Sequence, residues 1–184
     1  MFSGYQGKGD IAFSKLLLGI PDKAGITKLP ICGDGLFSLI KQAMAEYNEL
    51  GYTGFVRDAQ KEFAEGSIIL ALVTGERPPD PDELGIDFAA YLNGLGEAVG
   101  ELRRYLLDSM RKGDLSRGEE LLSAMDDIYN ILVTMDFPDA ITGGLRRTTD
   151  MVRGVLERTR SDLTLVIRQK DLEKRLGKFE GNLH

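Results

Sequence analysis

The chain has 184 residues, 42% of them hydrophobic and 28% charged, with one cysteine (Cys32), no tryptophan and one histidine (His184) at its end. A disulfide framework is excluded, a Ser–His or Cys–His catalytic arrangement is not expected, and the length suits one domain with a proper core. The early apolar run Leu16 to Ile20 is too short to cross a membrane and lacks a signal-peptide cleavage pattern, so a cytoplasmic location is expected.

The net charge of −6 hides an asymmetry. Residues 1–140 carry 13 Lys/Arg against 23 Asp/Glu, a net of −10, whereas residues 141–176 carry 9 against 5, a net of +4. An acidic body with one basic stretch could hold a cation in one place and a polyanion in another; packing of the basic stretch on an acidic neighbour is the plainer alternative.

In chain order, residues 1–33 contain Gly4, Gly7, Gly9, Gly19, Gly25 and Gly33 without a sustained helical period, and read as loop or disorder. Neither Gly4 to Asp10 nor Gly33-Asp34-Gly35 has the spacing and context of a phosphate-binding loop, so both read as turns. A single helical domain is expected over 34–178. Asp34 can cap a first helix to about Leu50, with Leu36, Ile40, Met44 and Tyr47 on one stripe and Gly51 as its end. A second helix is predicted from about Thr53 to Thr74, followed by a loop that Gly75 and Pro78-Pro79-Asp80-Pro81 enforce. Asp87 can cap a third, to about Arg111, with a stripe of Leu92, Leu95, Val99, Leu102 and Leu106. Ser116-Arg117-Gly118-Glu119 has the form of a capping box opening a fourth helix to about Met135. After Pro138 and Gly143-Gly144, a final helix spans about Leu145 to Leu176. No segment alternates with period 2, so the fold class is all-α, a helical bundle with a long C-terminal helix.

Two pairs of carboxylates stand out: Glu62 with Glu65, and Glu97 with Glu101. Residues three or four apart on a helix are surface neighbours, with Cβ atoms about 5–6 Å apart, so each pair presents two carboxylates to one place. Were the two helices to face each other, four carboxylates would converge as a hard divalent cation requires. Glu62 and Glu65 project into the sector of Ile69, Leu72 and Val73, where a charge is unfavourable unless paired or coordinating. An exposed helix end or salt bridges to Arg or Lys would explain that pair equally well. Glu97 and Glu101 lie opposite the leucine stripe with Ala90, Gly94 and Asp108, a face that reads as solvated. Against that reading, Gly94, Gly96 and Gly100 each weaken the helix by about 1 kcal/mol relative to alanine, which points to close approach by a neighbour. Arg103-Arg104 follows one turn on, where a phosphate could be held. Gly143-Gly144 before Arg146-Arg147 could seat a phosphate at a helix start, but reads more simply as a helix break with basic flanks.

The stretch Tyr91-Leu92-Asn93-Gly94-Leu95-Gly96-Glu97-Ala98-Val99-Gly100-Glu101-Leu102-Arg103-Arg104, continued by Gly113-Asp114-Leu115, resembles the signature helix of the translin family. Gln60-Lys61-Glu62-Phe63-Ala64-Glu65 is similar to the matching helix of its Trax branch. Leu145-Arg146-Arg147 through Asp150, Val152, Arg153 and Glu157-Arg158-Thr159-Arg160 resembles the last helix of microbial members. The likeness covers about residues 45–170; residues 1–33 do not resemble the long opening helix of the family, which weakens the expectation of assembly. The resemblance implies an antiparallel bundle of the translin type, homo-oligomers that are usually octamers, and binding of single-stranded RNA or DNA. For a Trax-type member it further implies magnesium-dependent endoribonuclease activity at Glu62, Glu65, Glu97 and Glu101, with Glu97 where an aspartate is usual. The basic residues in or beside these motifs, Arg57, Lys61, Arg103 and Arg104, become candidates for the nucleic-acid backbone.

Oxygen-only ligands favour Mg²⁺ or Mn²⁺ over zinc. Glu62, Glu97 and Glu101 are expected as direct ligands, and Glu65 as a ligand or as the group orienting the attacking water. Stacking would fall to Tyr52, Phe55 or Tyr105, and recognition should follow single-strandedness rather than sequence. Two other readings stand beside this one. One is a nucleic-acid-binding oligomer without catalysis, like translin; the other is a plain helical oligomerisation module, marked by Glu62 and Glu65 salt-bridged inside the bundle.

Overall fold

The computed structural model describes residues 54–181; the glycine-rich segment 1–33 and the helix expected from Asp34 to Leu50 lie outside them. The described residues form six helices and no strand: α1 (Gly54–Thr74), α2 (Pro81–Leu84), α3 (Phe88–Arg111), α4 (Gly118–Thr134), α5 (Asp139–Thr142) and α6 (Leu145–Gly181). No helix among them is long and apolar enough to cross a membrane.

Helix α3 is the centre on which α1, α4 and α6 all pack. Its leucine stripe is buried as expected, Val99 and Leu102 completely, against Met125 and Leu132 of α4 and Val152, Leu156 and Leu163 of α6. Ala90, Gly94 and Ala98 on the opposite side are buried too, because α1 lies there. The face read as solvated is therefore an interface between helices, and its small residues set how close α1 can come. Contacts climb together along α1 and α3, from Lys61 beside Gly94 and Glu97 to Glu65 within the field of Glu101, so the two helices run in the same direction. Helix α6 also ascends with α3, from Thr148 against Asn93 to Asp162 against Arg103. Helix α4 runs antiparallel to α6, with Gly118 against Leu163 and Asp126 against Arg160.

The helix termini follow local chemistry, with one exchange. Asp87 caps α3 as expected, its carboxylate accepting from the Ala89 N–H at 3.0 Å. The capping box expected at Ser116 is absent: α4 begins at Gly118 after Arg117 with no side-chain cap, and the Ser116 N–H donates instead to Asp114 at 2.9 Å. The reciprocal box is found in the proline-rich loop, where Asp80 and Glu83 cap each other around α2, with Pro81 in the first turn that lacks a partner for an N–H. Arg117 has another task, donating to the carbonyls of Leu72 (2.9 Å) and Val73 in the last turn of α1.

Candidate metal centre and its adjoining cleft

Where α1 crosses α3 the backbones nearly touch. A Cβ on Gly94 would lie 2.6 Å from the carbonyl oxygen of Lys61 and 2.9 Å from the Ala64 Cβ, so only glycine permits this approach. One turn further along, Glu97 meets Glu62 and Glu65, and each of the three offers a carboxylate oxygen within 4.8 Å of the others. All three are half-buried.

Three carboxylates so placed repel one another, and the strain falls on the most enclosed. Burial first, then the fields of Glu62, Glu97 and Glu101, push the Glu65 carboxyl from its ordinary 4.5 up to about 8, with Lys61 offsetting only part of the effect. The Lys61 ammonium bonds Glu97 Oε1 at 2.8 Å. Burial on its own would lower the Lys61 pKa, but that bond and the fields of Glu97, Glu62 and Asp58 outweigh it and hold the pKa above its usual value. The donor set, oxygen only and short of positive charge, fits a hard divalent cation: Glu62, Glu65 and Glu97 would hold it.

The raised Glu65 pKa has a consequence for stability. Between pH 4.5 and about 8 the folded protein holds a proton on Glu65 that the unfolded chain has released, so stability falls as pH rises through that window. The limiting slope is about 1.4 kcal/mol per pH unit. Partial solvation of the group brings the total to the order of 2 kcal/mol. In EDTA, urea unfolding of the wild type should show stability declining from pH 5 to pH 9, and Glu65→Gln should flatten the decline. Parallel wild-type and Glu65→Gln curves would contradict the coupling.

Glu101 stands outside the group of three. It acts on Glu65 through its field and pairs with Arg104 at 3.1 Å, which leaves Arg104 exposed at the margin of the cluster. Arg103, its neighbour in sequence, turns to α6, donating to Thr159 at 3.0 Å and Asp162 at 2.7 Å. Of the four basic candidates, Arg103 thus ties α3 to α6, as Lys61 ties α1 to α3 through Glu97. Phe55 is 66% exposed near the start of α1; Tyr105 lines a small hollow with Asp114 and Arg117, and Tyr52 lies outside the described residues.

Glu97 and its partner Lys61 also line a cleft of about 430 Å³ beside the carboxylates. Arg57 and Asp58 of α1 and Arg147 of α6 line its sides, and Ala89, Ala90 and Met151 give it an apolar surface. Its shape depends on Asn93, whose amide donates to the carbonyls of Ala89 and Thr142 and accepts from the Thr148 hydroxyl, each at 2.8 Å. One side chain thereby ties α3 to the α5–α6 turn. That turn passes through Gly143 and Gly144 at φ +65° and +88°, a left-handed path that suits glycine. Sequence reading set Arg147 aside as the flank of a helix break and gave Asn93 no role. Nothing in the spacing could have joined them to residues 57–61, because the connection is made only by packing.

No family model matches the chain. An uncharacterized protein of Methanocaldococcus jannaschii is 30% identical over 130 residues, 70% of this chain and 58% of that protein, so the chain spans little more than half of the relative's length. Among solved structures, AfC3PO from Archaeoglobus is 35% identical with a TM-score of 0.65, over 74% of this chain and 72% of that one. The same protein in a duplex RNA complex gives 34% identity and the same TM-score. Apo-NeC3PO from Nematostella is 22% identical with a TM-score of 0.62, over 72% of this chain and 70% of its own, a likeness of fold alone.

Proposed function

This chain belongs to the translin family, and from that premise we propose that it binds single-stranded RNA and cleaves it as a Mg²⁺- or Mn²⁺-dependent endoribonuclease of the Trax type. The observation that carries the proposal is the convergence of Glu62, Glu65 and Glu97 within 4.8 Å beside a cleft lined by arginine and lysine. Structural proteins seldom gather carboxylates in a partly buried place where one must hold a proton near neutral pH; sites that bind cations or move protons do. A divalent cation held there supplies a Lewis acid for the scissile phosphate and lowers the pKa of a bound water.

The chain's own residues do the remaining work. Glu62, Glu65 and Glu97 would hold the cation, and Glu101, held by Arg104, would add charge at the margin and orient the attacking water. The usual aspartate at position 97 is replaced by a longer arm, yet the Glu97 carboxylate still reaches the other two. Lys61, paired with Glu97, stands ready to neutralise charge that develops on the phosphate. Nucleic acid as the partner is supported by the Archaeoglobus relative, which was solved with duplex RNA. Assembly with further copies is supported by Leu172, Leu176 and Phe179, apolar and exposed along the far end of α6.

A second reading, binding without cleavage, is favoured by one observation: Lys61 already meets part of the cluster's need for positive charge. The test is to incubate the protein with end-labelled RNA, single-stranded and duplex, in Mg²⁺ or in EDTA. Cleavage of the single strand in Mg²⁺ and none in EDTA is the expected result. Cleavage indifferent to EDTA would remove the metal mechanism, and salt-sensitive binding without cleavage would leave the second reading.

A further inference from the structure

The cleft beside the carboxylates has features that the metal centre does not use. Its volume of about 430 Å³ falls within the span of about 300–1,000 Å³ usual for small-ligand sites. Its polar groups divide into two kinds. Asn93 has both amide donors engaged with Ala89 and Thr142 and its carbonyl accepting from Thr148, so it has no donor left for an anion. Arg57 and Arg147 enter from opposite walls, one from α1 and one from the first turn of α6, and neither has a hydrogen-bond or ion-pair partner among the described residues. Seven other arginines among the described residues are engaged with carboxylates.

The neighbouring charges decide what can enter. Lys61 is held by Glu97, and Asp58 is the remaining carboxylate on the cleft wall. Two uncommitted guanidiniums against one carboxylate leave the cleft selective for an anion. Guanidinium forks suit a phosphate, to which they can donate two parallel bonds. Ala89, Ala90 and Met151 offer an apolar bed beside that anion, fit for a sugar and base but with no donor or acceptor to tell one base from another. The cleft shares Glu97 with the carboxylate cluster and Lys61 pairs with it, so a strand whose reacting phosphate lies on the cluster can run its neighbouring nucleotide into the cleft.

We infer that the cleft is a subsite for the nucleotide adjoining the reacting phosphate, with Arg57 and Arg147 clasping its phosphate from the two sides and no base recognised. The inference rests on the proposed function, because it needs the strand to reach the carboxylates. It makes Arg147 a binding residue of the site and gives the α5–α6 turn a purpose: the turn delivers α6 so that its first turn faces α1.

The test measures binding, not cleavage. Fluorescence anisotropy of a labelled oligouridine in EDTA is followed against salt for the wild type, R147A, R147K and R57A/R147A, with Mn²⁺ affinity measured separately by calorimetry. R147A should weaken RNA binding about tenfold or more. The double variant should lower the slope of log K against log salt by about 0.7, the value for one phosphate charge given up. R147K, which keeps the charge without the fork, should retain the wild-type slope at reduced affinity, and Mn²⁺ affinity should stay within about twofold throughout. An oligoadenosine probe should show the same losses. If the wild type binds RNA and R57A/R147A binds it with unchanged affinity and slope, the subsite is wrong while the proposed function survives. If the wild type binds no RNA, both fall.

Discussion

Replacing Glu62 and Glu97 together with glutamine should lower Mg²⁺-dependent RNA cleavage by roughly 10³-fold, equivalent to about 4 kcal/mol of transition-state stabilisation, and should weaken Mn²⁺ binding in parallel. Glutamine keeps the shape of the side chain and one oxygen but removes the charge, so the effect isolates electrostatics from packing. The expected effect on the fold has the opposite sign. The three carboxylates lie within 4.8 Å of one another, and two of the charges that push Glu65 up would be gone. The variant should therefore be no less stable than the wild type in EDTA near pH 8, the exchange of stability for function usual at charged sites. Glu101→Gln should be milder, about tenfold, because Glu101 stands outside the group of three and engages Arg104. Single-turnover cleavage, Mn²⁺ titration and thermal melting on the same preparations separate these effects. Full cleavage by the double variant would remove the carboxylates from the mechanism. A variant that lost cleavage together with several degrees of melting temperature would point instead to a structural role.

How far the sequence revealed this site depends on which face of a helix is considered. The leucine stripe from Leu92 to Leu106 announces α3 and its core side because large apolar residues recur at the helical period, and all five are buried. The opposite side contacts α1 through Ala90, Gly94 and Ala98. Small residues bury little area each and register weakly in any hydropathy pattern, so the face of Glu97 and Glu101 reads as solvated. The glycines were the better signal, though unevenly: Gly94 fits against α1, Gly96 fits against Thr148 of α6, and Gly100 has no neighbour within 4 Å among the described residues. The facing of the two glutamate pairs came from family resemblance, since periodicity within one helix holds no information about its neighbour. The capping boxes show the same limit at shorter range. Ser116 and Glu119 have the right spacing, but the chain turns through Asp114, and the reciprocal box forms at Asp80 and Glu83. Arg147 was out of reach for another reason. Its place beside Arg57 is fixed by Asn93, which holds Thr142 and Thr148 on either side of the glycine turn and lies far from both arginines in sequence.

Gly94 joins the stability of the fold to the geometry of the site, and Gly94→Ala should damage both. Alanine is the better helix former by about 1 kcal/mol, so propensity alone predicts stabilisation. The new methyl, however, would sit 2.6 Å from the Lys61 carbonyl oxygen, 2.9 Å from the Ala64 Cβ and 3.2 Å from the Glu65 nitrogen. Two of those three atoms are backbone, so no side-chain rotation relieves the contact, and α1 must move away from α3. Overpacking of this kind costs typically about 1–3 kcal/mol, which leaves a net loss of up to about 2 kcal/mol, and more for Gly94→Val. Because Glu62 and Glu65 move with α1 while Glu97 stays with α3, the same displacement should spread the carboxylates and weaken Mn²⁺ binding, although no ligand has been changed. Gly100→Ala on the same helix is the matched control. With nothing within 4 Å of its Cβ among the described residues, it should gain up to about 1 kcal/mol and leave the metal affinity unchanged. Urea midpoints and Mn²⁺ titrations of the two variants decide the matter: equal shifts of the same sign would show that helix propensity governs both positions and that the close approach at Gly94 does not set the spacing of the site.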